Sequence, residues 1–74
     1  MNKTDIGINA GIIWRLLNAK GSLSFKEIEE YTQFEETYVM LALGWLAREN
    51  KIDFFVFNDV TKVELRESPL ELYY

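Results

Sequence analysis

The stretch Thr37-Tyr-Val-Met-Leu-Ala-Leu-Gly-Trp-Leu-Ala47 constrains this chain more than any other. Wound as a helix at about 3.6 residues per turn, it puts Tyr38, Leu41, Ala42, Trp45 and Leu46 on one face. Val39, Met40, Leu43 and Ala47 fall on other faces, and only Thr37, Gly44 and Arg48 are left for solvent. A helix apolar nearly all round must be covered on more than one side. In a chain of 74 residues the cover is either the rest of the chain, folded tightly over it, or a second chain.

That length gives one domain, 1–74, close to the lower limit at which a single core holds a fold alone. Small folds are often reinforced by disulfides, a metal or oligomerisation. The chain has neither Cys nor His, so disulfides, thiolate chemistry and the usual zinc ligands are excluded, and homodimerisation is the reinforcement expected. Hydrophobic residues make up 49% and aromatics 15%, ample material for a core. Eight Lys and Arg stand against twelve Asp and Glu, a net charge of −4, which disfavours a polyanionic partner. No apolar run is long enough to span a membrane. The first residues carry Asp5, Asn9 and Arg15 and no small-residue cleavage site, so a secretory leader is not expected and the protein reads as cytoplasmic.

Asp5 is placed to cap a first helix over about 6–19, ended by Lys20-Gly21, with Ile8, Ile12, Ile13, Leu16 and Leu17 as its apolar positions. Ser24-Phe-Lys-Glu27 is a capping box, with Leu23 and Ile28 as the flanking hydrophobic staple, and opens a short second helix over 25–31. The turn 32–35 leads into the apolar helix, 36–49, for which Asn50 is a left-handed cap. Beyond Lys51 the period falls to two. Ile52, Phe54 and Val56 alternate on the inner side of one strand, Asn58-Asp59 opens a turn, and 61–66 forms a second strand with Val63 and Leu65 inward. Gly21-Ser-Leu23 adds room for a minimal third strand. The tail, 66–74, is too apolar for a free terminus and is expected to pack on the domain or on a dimer partner.

Helix, turn, short helix, turn, longer helix and hairpin together make an α+β fold with the layout of a winged helix-turn-helix. Ala10-Gly-Ile-Ile-Trp14, Leu23-Ser-Phe-Lys-Glu-Ile28 and above all Leu43-Gly-Trp-Leu-Ala-Arg-Glu-Asn-Lys-Ile52 resemble a family of small, stand-alone bacterial winged-helix proteins of largely uncharacterised function. Its members end the third helix in a similar Gly-Trp-Leu-Ala-Arg-Glu segment, and the resemblance runs from Ile6 to Leu65. Asn50 departs from it, standing where Gly is more usual.

In such a fold the third helix would read the DNA major groove and the hairpin would be the wing. Base edges call for Arg, Lys, Asn or Gln, and phosphates for cations. From Phe25 to Glu36 there is one cation, Lys26, against five carboxylates. Glu35 and Glu36 read most simply as complements to a helix dipole. Lys26, Thr37, Arg48, Lys51, Lys62 and Arg66 are the residues a duplex would have to use, and as surface charges they need no partner. Apolar material is in excess: Val39, Met40, Leu43, Phe55, Phe57, Leu70, Leu72, Tyr73 and Tyr74 are the candidate dimer or partner interface. Gly7, Gly11 and Gly44 are either close-approach points for another helix or tolerated surface glycines. No nucleophile–base pair, metal-ligand set or phosphate loop is present, so no cofactor and no catalysis are expected. The sequence points to a homodimeric regulatory or protein-interaction module, with a dimeric DNA-binding transcriptional regulator as the competing reading.

Overall fold

Short-range hydrogen bonding sets where each helix begins and ends. The computed structural model describes residues 2–66. Its first helix, α1 (Lys3–Lys20), is capped by Asn2 and not by Asp5. Asn2 Oδ1 accepts from the Asp5 N–H at 3.0 Å, and Asp5 Oδ2 accepts from the Asn2 N–H at 3.2 Å. Asp5 is thus the third-position acid of a capping box, which starts the helix earlier than a cap at Asp5 itself would. At the other end Gly21, at φ 86°, leaves the helix and donates to Leu17 O at 2.8 Å.

The predicted second box is present. Ser24 Oγ accepts from the Glu27 N–H at 3.1 Å and Glu27 Oε1 from the Ser24 N–H at 2.8 Å, starting α2 (Phe25–Thr32). Leu23 and Ile28, the staple pair, are both buried. Left-handed Gln33 donates to Glu29 O at 2.7 Å and closes the helix. Thr32 Oγ1 donates to Ile28 O and accepts from the Phe34 N–H, which ties down the turn. The apolar helix, α3 (Glu36–Arg48), ends in a Schellman motif: Lys51 N–H donates to Leu46 O at 2.9 Å and Asn50 N–H to Ala47 O at 3.0 Å. Asn50 holds the left-handed position, at φ 59°.

Three antiparallel strands complete the fold. β1 (Leu23–Ser24) is the minimal third strand, and it starts two residues later than the sequence suggests. It pairs with β3 (Val60–Leu65), which pairs in turn with β2 (Ile52–Phe57), so the order is β1-β3-β2. Asn58 and Asp59 are both left-handed, at φ 51° and 63°, as a two-residue type I′ hairpin turn requires. Opposed residues share a face, so Leu23, Val63 and Phe54 lie in one row and Ser24, Lys62 and Phe55 in the row behind. Asp53 stands opposite Glu64 on that outer face, a like-charge pair that weakens the base of the hairpin.

The core lies where α1, α3 and the inner sheet face meet: Ala10, Ile13, Leu17, Leu23, Ile28, Val39, Ala42, Leu43, Leu46, Ile52 and Val63. Among the described residues no polar or charged side chain is buried. Two expected faces are rotated. On α1 the buried stripe is Ala10, Ile13 and Leu17, and Ile8 and Ile12 point outward. On α3 it is Val39, Ala42, Leu43 and Leu46, whereas Tyr38 and Leu41 are exposed. In β2 only Ile52 reaches the core; Phe54 meets the ring of Phe25 edge-on at 6.2 Å, and Val56 lies beyond it in solvent. The sheet extends past the helices that cover it, so alternation alone places these residues wrongly.

Leu43→Ala should cost about 2–5 kcal/mol through the cavity it leaves. Leu41→Ala, two residues earlier, should stay within about 0.5 kcal/mol. Urea unfolding of both variants checks the assignment, and equal losses would contradict it. The Ser24 N–H, which donates to Glu27, holds that carboxyl below its ordinary value of 4.5, assisted by the Ser24 hydroxyl and the Lys62 charge and opposed by burial. The folded chain therefore binds this proton less tightly than the unfolded chain. The resulting stability is full above pH 4.5 and is lost as pH falls through the lowered folded-state value. Glu27→Gln should be less stable than the parent at about pH 6 and should lose that disadvantage by about pH 3. Urea midpoints at the two pH values measure it.

Candidate functional site

Because α3 buries Val39, Ala42, Leu43 and Leu46, the opposite side of the helix is fixed. It presents Thr37, Leu41, Gly44 and Arg48 at helical spacing, flanked by Met40. Leu41 is 43% exposed. In a winged helix-turn-helix this is the side that faces a duplex. Here it carries two large apolar side chains, a glycine, a hydroxyl at one end and a guanidinium at the other. Glu35, the N-cap, makes no side-chain capping bond, and Glu36 occupies the first turn. The end of the helix that would enter the groove is acidic.

The cationic residues the sequence nominates separate into groups. Lys51 and Arg66 meet where α3 passes into the hairpin, because Arg66 N–H donates to Lys51 O at 2.8 Å and Arg66 Nη1 donates to Asn50 Oδ1 at 3.4 Å; Arg48 is the last residue of α3. Lys26 and Lys62 belong to the β1–α2 corner, where Lys62 pairs with Ser24 and contributes to the lowering at Glu27. Lys62 Nζ sits 5.7 Å from the centre of the Phe57 ring, and Lys20 Nζ lies 5.1 Å from that of Tyr31, so both ammonium groups rest on aromatic faces. Thr37 is alone, about 16 Å along the axis from Arg48. Only Arg48, in the last turn of α3, is placed to complement the dipole of that helix.

Of the interface candidates, Val39 and Leu43 are buried in the chain's own core and offer nothing to a partner. Met40 and Phe57 are exposed, and Phe55 is half-buried on the outer sheet face. Leu70, Leu72, Tyr73 and Tyr74 lie outside the described residues. The structure adds exposed apolar residues that sequence reasoning assigned inward or passed over: Leu41 on α3, Ile8 and Ile12 on α1, and Phe54, Val56 and Val60 on the hairpin. A shallow, open groove of about 570 Å³ between the start of α1 and the 33–35 turn is lined by Asp5, Asn9, Gln33, Phe34, Glu35 and Tyr38. Among the described residues no group of three or more His, Cys, Asp or Glu could hold a metal ion, and no helix is long and apolar enough to cross a membrane.

The glycines do not mark a packed helix pair. A Cβ at Gly7 would meet Trp45 Cζ2 at an ordinary 3.7 Å, one at Gly11 would meet only the Arg15 guanidinium, and one at Gly44 would meet nothing within 4 Å. Gly44→Ala should therefore stabilise the protein, by about 1 kcal/mol from helix propensity. A rise in thermal midpoint with unchanged association would mean that no helix of a second copy seats at Gly44.

Comparison with known proteins agrees with this geometry. The model of the winged helix-turn-helix domain family DUF2582 matches residues 1–65. Uncharacterized protein MJ1608 of Methanocaldococcus jannaschii is 42% identical over 60 residues, covering 77% of this chain and 81% of its own. The solution NMR structure of protein BT2368 from Bacteroides thetaiotaomicron superposes with a TM-score of 0.79 at 34% identity, over 88% of this chain and 79% of that one. The resemblance seen in the Gly-Trp-Leu-Ala-Arg-Glu segment is therefore one of family, and this chain belongs to the winged helix-turn-helix domain family DUF2582.

Proposed function

We propose that this chain is a non-enzymatic regulatory module of the cytoplasm that works through protein contacts, as a homodimer, on a winged-helix frame whose duplex-reading side has been given over to apolar and acidic residues. The observation that carries this reading is the outward side of α3: Met40 and Leu41 stand where base-reading side chains would be needed, behind an N-terminal end flanked by Glu35 and Glu36. Apolar side chains can touch a thymine methyl, but they supply no hydrogen bonds to base edges. A net charge of −4 adds a long-range repulsion from phosphate.

One observation favours the alternative, a DNA-binding transcriptional regulator. Lys51 and Arg66 do meet at the base of the hairpin, three residues past Arg48 at the end of α3, and a few cations suffice for a weak, sequence-independent phosphate contact. Fluorescence anisotropy of a labelled mixed-sequence duplex at about 50 mM salt separates the readings. The protein-contact reading expects no rise in anisotropy up to about 10 μM protein. Binding in that range that weakens as salt is raised would overturn it in favour of the regulator, and Arg48→Ala should then reduce the salt slope.

A further inference from the structure

Among the described residues, the outer edge of β2 is the place where main chain without a strand neighbour and exposed apolar side chains coincide. Among the described residues β2 has a neighbour on one side only. Phe57 and Val60 flank a two-residue turn and so form a hydrogen-bonded pair. Alternation along an antiparallel ladder then makes Phe55–Lys62 and Asp53–Glu64 bonded pairs as well, and the Arg66 N–H on Lys51 O continues the same pattern. It follows that the N–H and C=O groups of Ile52, Phe54 and Val56 point away from β3, to the outer edge.

Sheet edges are ordinarily blunted by lysines, proline, a bulge or extreme shortness. β2 has six residues, an unbroken register against β3 and a single charge, Asp53. Its side chains are exposed on both faces, with Phe54 47%, Val56 69% and Phe57 57% accessible. The apolar patches elsewhere, Ile8 and Ile12 on α1 and Met40 and Leu41 on α3, lie on helices whose main chain is already satisfied.

We infer that the edge of β2 is a self-association surface, on which β2 of a second copy of this chain pairs antiparallel about a two-fold axis at Phe55. This pairing deepens the protein-contact reading above, and rests on it, by naming the partner and the surface. Charge selects the register. Centring the axis on Asp53 would set two carboxylates directly opposite each other, and centring it on Phe54 would leave them diagonal neighbours. Centred on Phe55, the register puts Phe54 opposite Val56 of the partner copy and Phe55 opposite its own counterpart, with Lys51 near the partner copy's Asp59. Phe54 and Val56 both carry outward N–H and C=O groups, so about four main-chain hydrogen bonds form across the axis. In this register Asp53 faces Phe57 of the partner copy and the two Asp53 carboxylates stand well apart, while Phe54 and Val56 have uncharged neighbours. Lateral pairing covers part of the roughly 400 Å² that Phe54, Val56, Phe57 and Val60 expose per chain. That is below the roughly 800 Å² per partner of a standard interface, so the dimer is weak and depends on concentration.

Sedimentation velocity on the full chain from about 5 to about 500 μM measures it. The expected result is a monomer passing to a dimer across that range. Val56→Pro removes only an outward donor, leaves the β3 ladder intact, and should weaken the dimer about tenfold or more with the far-ultraviolet circular dichroism unchanged. Met40→Glu, on α3, should leave it unaltered. Phe55→Cys provides the check that survives a poorly folding proline variant. A non-hydrogen-bonded pair brings Cα atoms to about 4.5 Å, within disulfide range, so the single thiol should oxidise to a covalent dimer far faster than that of Ile8→Cys. A monomer at every concentration would overturn the inference, as would a dimer undiminished in folded Val56→Pro, a dimer abolished by Met40→Glu, or equal oxidation of the two cysteine variants. A dimer that also binds the duplex would remove the protein-contact reading and leave this edge standing. A monomer that ignores the duplex would remove this edge and the homodimer with it, and leave contact with a different protein as what remains of that reading.

Discussion

Everything in this molecule is arranged around the burial of one side of α3 against α1. Val39, Ala42, Leu43 and Leu46 close on Ala10, Ile13 and Leu17, and both stripes include an alanine that lets the helices approach. Leu23, Ile52 and Val63 extend the same layer into the sheet, and Ile28 ties in α2. Once that side of α3 is taken, its outward side, its acidic start and its cationic end have no freedom in direction. The character of the surface is thus a by-product of the choice of core stripe.

How much of this was legible depended on whether a residue's role was set locally. The Ser24–Glu27 box, the left-handed Asn50 and the Asn58-Asp59 turn are each decided by a few bonds within a handful of residues, and each is where the sequence places it. Asn2 was missed because Asp5 is itself a good cap, and only the reciprocal bonds between the two show which is the cap and which the third-position acid. The facing of α3 was legible only at its non-apolar positions: Thr37, Gly44 and Arg48 are exposed where the sequence leaves them for solvent, but Tyr38 and Leu41 are not on the buried side it assigns them. With Tyr38, Val39, Met40, Leu41, Ala42 and Leu43 in succession, hydrophobic periodicity has no minimum to mark the wet side, and tertiary packing alone decides. Phe54 and Val56 fail for a different reason: alternation assumes a covered face, and the hairpin is longer than its cover.

The candidate surface follows the same division. That the duplex-facing region is short of cations could be counted from the sequence, since Lys26 is alone among five carboxylates between Phe25 and Glu36. That Val39 and Leu43 are spent on the core while Leu41 is left outside required coordinates. Membership of a winged-helix family supplies a frame known for nucleic-acid recognition, but a frame does not carry a function without the side chains that perform it. Among the described residues, the outward side of α3 and the edge of β2 present apolar side chains where such a frame would need cations and hydrogen-bonding groups.

Among the described residues the buried set consists only of aliphatic side chains, with Trp14, Phe25, Phe34 and Trp45 packed around it and no polar side chain inside. Such a core has a thermal signature. Apolar burial is driven by water entropy near room temperature, and its hydration carries a large heat capacity, so the driving force fades on cooling as well as failing on heating. For a chain of this size the heat-capacity change on unfolding is on the order of 1 kcal/mol/K, and the free-energy dome it generates is low and broad. With no buried polar side chain among the described residues to add enthalpy in the cold, the molecule sits near the top of that dome at ordinary temperatures and loses stability in both directions from it.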